Sequence, residues 1–354
     1  MKEFWSERIR DMVPYVPGEQ PKGGGFIKLN TNENPYPPSS MALAAMWSAA
    51  GAQLRLYPDP ECTDLRRAAA RYYGVGEDHI FCGNGSDEIL AFCFQAFFDP
   101  GRPVCFADVT YSFYPVYAGY FGLDTRIIPL REDFSLPVEA FFDTPGGAVI
   151  ANPNAPTGQA VGLDSLRQIL EHNRERVVVV DEAYVDFGGV SAVPLIDEYP
   201  NLVVVHTLSK SRSLAGLRVG FALAQPNLIA ALRCVRDSIN SYTVDRLAQA
   251  GAAAALGDTA YFEQTRQKVM ATRARCAQAL EELGFVVSPS CANFLFVRHP
   301  QREGKELFAA LREKGILVRR WDAPRIDQWL RISIGTDKEM DTLCQTLKGI
   351  LAED

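Results

Sequence analysis

From about residue 40 to residue 240, short β-rich runs alternate with stretches in which apolar residues recur at helical spacing. That alternation predicts an α/β fold with a largely parallel sheet flanked by helices. The predicted strands are Pro103–Ala107, Ala148–Ala151, Val177–Val180, Leu202–His206 and Val219–Leu223. Val177–Val180 is four valines in succession, as expected of a strand buried on both faces. Downstream, Asp245–Leu256 reads as a helix and Asp258–Leu283 as a longer one. In the longer helix Phe262, Val269, Cys276, Leu280 and Leu283 form a core-facing stripe. After Gly284, strands at Asn293–Val297, Ile316–Arg319 and Leu330–Ile334 alternate with helices at Lys305–Lys314 and Lys338–Leu351.

These patterns divide the chain into an N-terminal arm (1–39), a large domain (40–244), connecting helices (245–283) and a smaller C-terminal α/β domain (284–354). The arm is expected to be extended, because Gly23-Gly24-Gly25 and Asn34-Pro35-Tyr36-Pro37-Pro38 forbid a long helix. Such arms often lie across a partner subunit.

A net charge of −7 over 354 residues, with no basic stripe, argues against nucleic acid as a partner. No apolar run approaches membrane-spanning length, and charges and prolines interrupt the first residues, so neither a membrane span nor a signal peptide is expected. The eight cysteines include no Cys-x-x-Cys pair and the four histidines are scattered. Metal-ligand spacing is therefore absent, no metal is expected, and single cysteines in apolar runs point to reduced thiols in the cytoplasm.

In open parallel sheets ligands bind beyond the carboxyl ends of the strands. Following the predicted strands in turn come Tyr111, then Asn152-Pro153-Asn154-Ala155-Pro156-Thr157-Gly158, then Asp181-Glu182-Ala183-Tyr184, then Thr207-Leu208-Ser209-Lys210. A ring, amides, a carboxylate with a phenol, and an amine would share one rim. Lys210 is the only lysine between Lys28 and Lys268, although arginines are plentiful there. An amine that can deprotonate is something arginine cannot supply. Alone, a strand-end lysine reads as a solvated charge; its neighbours reverse that. Gly83-Asn84-Gly85-Ser86-Asp87-Glu88 precedes an apolar helix, Ile89–Phe98. With Ser86 as its N-cap, that helix start offers free amides to a phosphate. It is not the dinucleotide fingerprint, which requires G-x-G-x-x-G directly after a strand.

Asn-Pro-Asn-Ala-Pro-Thr-Gly, Asp-Glu-Ala-Tyr and Thr-Leu-Ser-Lys-x-x-x-Leu-Ala-Gly-Leu-Arg, in this order, closely resemble the fold-type I aminotransferases, and within them the histidinol-phosphate aminotransferases. The resemblance runs from Leu29-Asn30-Thr31-Asn32-Glu33-Asn34-Pro35 to Leu330-Arg331-Ile332-Ser333-Ile334-Gly335-Thr336.

That resemblance implies pyridoxal 5'-phosphate as cofactor. Lys210 would bind its aldehyde covalently and later move the substrate proton. Asp181 would keep the pyridine nitrogen protonated, Tyr184 would bond the ring oxygen, and Tyr111 would stack on the ring. The phosphate would lie on the Ser86 and Asp87 amides, completed by Ser209 and Arg218. Tyr57 resembles the tyrosine that reaches this phosphate from the neighbouring subunit, which implies a homodimer. Many relatives have asparagine immediately before Pro-Thr-Gly, where this chain has Ala155, so the amide contact falls to Asn154 or, failing that, Asn152. Arg331 matches the substrate-anion arginine, and Arg319 and Tyr15 match positions used for the substrate phosphate, with Arg320 able to trade roles with Arg319.

The reaction implied interconverts L-histidinol phosphate and 2-oxoglutarate with imidazole-acetol phosphate and L-glutamate. The same resemblance leaves open an aromatic or broad-range aminotransferase, or a threonine-phosphate decarboxylase. A ligand sensor fused to a DNA-binding segment, or a dead scaffold, is disfavoured: an acidic chain of this length is expected to leave no room for a winged-helix N-terminal extension, and Lys210 and Asp181 are both present.

Overall fold

The computed structural model describes residues 4–10 and 12–352. A short strand, β1 (Ile27–Lys28), lies in the N-terminal arm. Seven more form the central sheet: β2 (Ile80–Gly83), β3 (Val104–Ala107), β4 (Thr125–Ile128), β5 (Ala148–Ala151), β6 (Val178–Asp181), β7 (Leu202–Thr207) and β8 (Gly220–Ala224). Their spatial order is β2-β8-β7-β6-β5-β3-β4, and only β8 runs against the rest.

The valine-rich strands make this sheet because each of their residues has somewhere apolar to go. Val178 and Val180 pack with Leu202, Val204, Leu166 and Ile169 on one face. Val179, Val203 and Val205 pack with Leu90, Phe94 and Ile229 on the other. Period-2 alternation thus feeds two cores at once, and each buried valine contributes roughly 1.5–3 kcal/mol before entropy is counted.

Two strands of this sheet escape the sequence pattern. The edge strand β4 exposes three of its four residues, so it has no apolar run to read. The other, β2, is wholly buried but only four residues long and ends in glycine. The reversal of β8 matters more. Because it is antiparallel, its N-terminal end lies at the rim where the other strands end, and Arg218, which precedes β8, arrives there too.

Beyond helices Arg246–Gly257 and Thr259–Glu282, the strands β9 (Val286–Val287), β10 (Phe294–Arg298), β11 (Ile316–Leu317) and β12 (Leu330–Ser333) alternate with helices Gly304–Glu313 and Asp337–Ala352. β10 pairs antiparallel with both β12 and β9. The arm joins this layer: β1 pairs in parallel with β11, and Leu29 enters the core formed by Val269, Cys276, Leu280, Leu295 and Ile332. At least this part of the extended arm finds its partner within the same chain.

Candidate active site

At the carboxyl rim the strand ends enclose a cavity lined by Tyr111, Asp181, Tyr184, Ser209, Lys210 and Arg218. Ser86 and Asp87 close it at the helix start, and Tyr15, Arg319 and Arg331 on the C-terminal and arm side. Tyr111 follows β3 and Pro153 follows β5, the neighbouring strands between which the chain reverses direction across the sheet, the usual ligand position in such folds.

Asp181 ends the buried strand β6 and is 5% exposed. Its oxygens accept from the Tyr114 hydroxyl at 2.8 Å and the Ala183 N–H at 3.2 Å. Burial raises its pKa to about 6, against the lowering effect of those bonds. Lys210 stands 5.8 Å from the centre of the Tyr184 ring, and its Nζ reaches only the Thr31 carbonyl, at 3.4 Å. Tyr184 accepts a 2.9 Å bond from the Asn32 amide.

The helix Gly85–Phe97 starts earlier than its apolar run suggests. Asn84, not Ser86, occupies the cap position, and no side chain caps the first turn, so its amides remain available to an anion. Gly85 is required twice: its φ is +78°, and a Cβ there would stand 2.6 Å from Arg218 Nη2. Arg218 pairs with Asp87 at 2.9 Å, and Asp87 also accepts the Tyr111 hydroxyl at 2.8 Å. The Ser209 and Thr207 hydroxyls are bonded at 2.9 Å.

On the opposite wall Arg331 donates to the Asn30 carbonyl at 3.0 Å, while its Nε is sealed from solvent without a partner. Its depth pulls its pKa below the ordinary arginine value. Among the described residues no carboxylate pairs with it. Arg319 donates to the Val16 carbonyl at 2.9 Å. Tyr15 stacks on Phe113 with ring centres 4.2 Å apart.

Four residues singled out in the sequence do not join the cavity. The Asn154 amide donates to Val109 and Thr157, at 2.9 and 3.0 Å, so Ala155 and Pro153 face the cavity instead. Asn152 is locked to Val161 by bonds in both directions. Tyr57 is 78% exposed, on the outer surface against Tyr242. Arg320 likewise turns away, pairing with Asp322 at 2.6 Å. Conversely, Asn30, Thr31 and Asn32 from the arm line the cavity. Their polar run beside Leu29 was the available signal, but nothing local to it indicates a position beside strands more than a hundred residues away.

The fold and this arrangement have close counterparts. Residues 25–347 match the family described as aminotransferase class I and II. The histidinol-phosphate aminotransferase of Clostridium acetobutylicum is 53% identical over 352 residues, covering 99% of this chain and all of that one. Histidinol-phosphate aminotransferase 1 of Methylococcus capsulatus is 54% identical, with 99% of each chain covered. The chain belongs to the class I and II aminotransferases, in the branch of the histidinol-phosphate aminotransferases. Among solved structures, the histidinol-phosphate aminotransferase of Sinorhizobium meliloti in complex with pyridoxal 5'-phosphate superposes with a TM-score of 0.87. It covers 99% of this chain and 98% of its own at 24% identity, which establishes the shared aminotransferase fold.

The cavity's chemistry fits the cofactor of that family. Asp181 is a buried carboxylate with hydrogen-bond donors but no cation, which a protonated ring nitrogen would supply. Among the described residues Lys210 is an amine with no carboxylate partner, and the uncapped helix start offers free amides to a phosphate, with Arg218, held by Asp87, beside them.

Proposed function

We propose that this chain is a pyridoxal-phosphate-dependent aminotransferase that interconverts L-histidinol phosphate and 2-oxoglutarate with imidazole-acetol phosphate and L-glutamate, in histidine biosynthesis. The observation that carries the substrate is Arg331, an inward-facing guanidinium with no carboxylate beside it among the described residues, with Arg319 on the same wall. An uncompensated cation pair suits a phosphate or carboxylate of the substrate. The named relatives favour this reading over an aromatic aminotransferase or a threonine-phosphate decarboxylase.

In this reading the amides of Ser86 and Asp87, the Ser209 hydroxyl and Arg218 hold the cofactor phosphate. Tyr111 covers the ring, and Tyr184 donates to its oxygen. When bound, pyridoxal phosphate supplies an aldehyde to carry the amine and a ring that accepts electrons from the substrate carbon. Asp181 keeps a proton on the ring nitrogen through a buried charge contact. Lys210 Nζ would hold the aldehyde and, once freed as an amine by the substrate, would take the proton from the substrate Cα. The position of Asn32, donating to the Tyr184 hydroxyl, supports it rather than Asn154 as the amide nearest the ring oxygen.

A homodimer belongs to the same reading, with Tyr57 reaching the partner's cofactor phosphate. It is supported by the exposure of Trp47 at 80% and of Leu43, Leu54, Leu56 and Tyr57, large apolar side chains close together in sequence. A cytoplasmic location is supported by eight free cysteines. Among the described residues no helix is long and apolar enough to cross a membrane.

The deciding experiment follows the visible absorption of the protein loaded with pyridoxal phosphate as L-histidinol phosphate is added without a keto acid. Stoichiometric conversion of the bound cofactor to its amine form is expected. Conversion by phenylalanine but not by histidinol phosphate would overturn the substrate, and release of carbon dioxide from threonine phosphate would replace the reaction.

A further inference from the structure

Arg319 and Arg331 are paired across an antiparallel bridge, each donating its backbone N–H to the other's carbonyl, at 3.0 and 2.8 Å. Residues so opposed place their side chains on one face, and like charges in that position ordinarily repel. A carboxylate between them would relieve the repulsion but would also cancel the charge that a substrate anion needs. The chain supplies a ring instead. Trp321, two residues after Arg319, has its ring centre 5.5 Å from the Arg319 guanidinium carbon and 5.1 Å from that of Arg331. The intervening Arg320 points away, to Asp322 and the Asp327 carbonyl. Trp321 is itself seated against the apolar cluster of Phe134, Phe296, Ile326 and Trp329.

We propose that Trp321 is the positioning residue that holds Arg319 and Arg331 together as one two-guanidinium clamp, and that the clamp favours a phosphate-bearing substrate over a carboxylate. The π face attracts both cations without neutralising either. One planar guanidinium fork satisfies the two oxygens of a carboxylate, whereas the three terminal oxygens of a phosphate engage two forks. The inference rests on the reading that Arg331 and Arg319 receive the substrate phosphate.

The test compares Trp321→Leu and Trp321→Phe in the cofactor-loaded protein. KM and kcat are measured for L-histidinol phosphate and L-glutamate, together with inhibition by inorganic phosphate. Trp321→Leu is expected to raise KM for histidinol phosphate and to weaken phosphate inhibition, each about tenfold. The same variant should leave kcat within about twofold and KM for glutamate within about threefold. Trp321→Phe, which keeps a π face, is expected to stay within about threefold of the unaltered protein throughout. An unchanged KM in Trp321→Leu, an equal rise for both substrates, or equal impairment of the Phe and Leu variants would each overturn the clamp. If the Leu variant fails to fold, Trp321→Met against Trp321→Phe makes the same comparison. Failure of the unaltered protein to convert histidinol phosphate would instead sink the functional reading, and phosphate inhibition would still decide the role of Trp321.

Discussion

Asp181 and Glu182 are adjacent buried carboxylates with opposite circumstances. Glu182 lies among protein partners: His206 Nε2 at 2.8 Å, the Ser191 hydroxyl at 2.6 Å and the Ala192 N–H at 2.6 Å. His206 in turn meets the Tyr73 hydroxyl at 3.2 Å. Burial works against charge on His206, but the bond and charge of Glu182 prevail and raise its pKa. Asp181 has two hydrogen-bond donors and no cation in contact, and burial raises its pKa to about 6. Consecutive residues emerging from one strand thus separate two uses of buried charge. Below, the network is closed and holds the fold; at the rim, charge is left for a ligand to complete, at a cost in stability.

The sharpest way to break this contrast is Lys210→Ala. It should lower transamination by at least about a thousandfold while leaving the thermal midpoint of the cofactor-free protein nearly unchanged. Glu182→Ala should do the reverse in kind, lowering unfolding free energy by about 3–5 kcal/mol in a denaturant titration, because it strands His206 without its counter-charge. The raised pKa of His206 fixes the sign of the pH dependence. The pair's contribution is complete below the ordinary histidine value and is lost as pH rises through the folded-state value, so the gap between this variant and the unaltered protein should narrow in alkali.

Asp181→Asn should stabilise the cofactor-free protein by about 3 kcal/mol at pH 8, since an aspartate normally near 3.8 titrates near 6 once folded. That gain should fade between pH 6 and pH 4, where the folded protein protonates the carboxylate, and melting curves across this range decide it. A constant gain would mean that packing, not charge, is responsible. Tyr114→Phe removes one of the two bonds on Asp181 and should cost about 1 kcal/mol in pyridoxal-phosphate binding, read by equilibrium titration.

The rim was legible because each strand end carries its chemistry within a few residues: Tyr111, Asp181, Tyr184, Ser209 and Lys210 are local to buried runs whose pattern announces them. Arg218 was read from family resemblance, and only the reversal of β8 explains why a residue ahead of a strand reaches the same rim. The partner of Asp181 was invisible, since Tyr114 becomes relevant only when the start of helix Tyr114–Phe121 is set beside the end of β6. Ser191 and Ala192 close the bonds around Glu182, a long-range task without local periodicity. Asn154 was chosen by its nearness to Ala155, but a neighbouring loop takes up its amide first.

The pairing of β1 with β11 also sets an order of events at the ribosome. Residues 27–28 leave the exit tunnel long before 316–317, and Leu29 bonds Ser333 later still. At roughly 5–20 residues per second, the arm waits about 15–60 s for its partner strand. Asn30, Thr31 and Asn32 can take their places around the cavity only after that wait, so the nascent chain can complete its sheet well before it can complete its site.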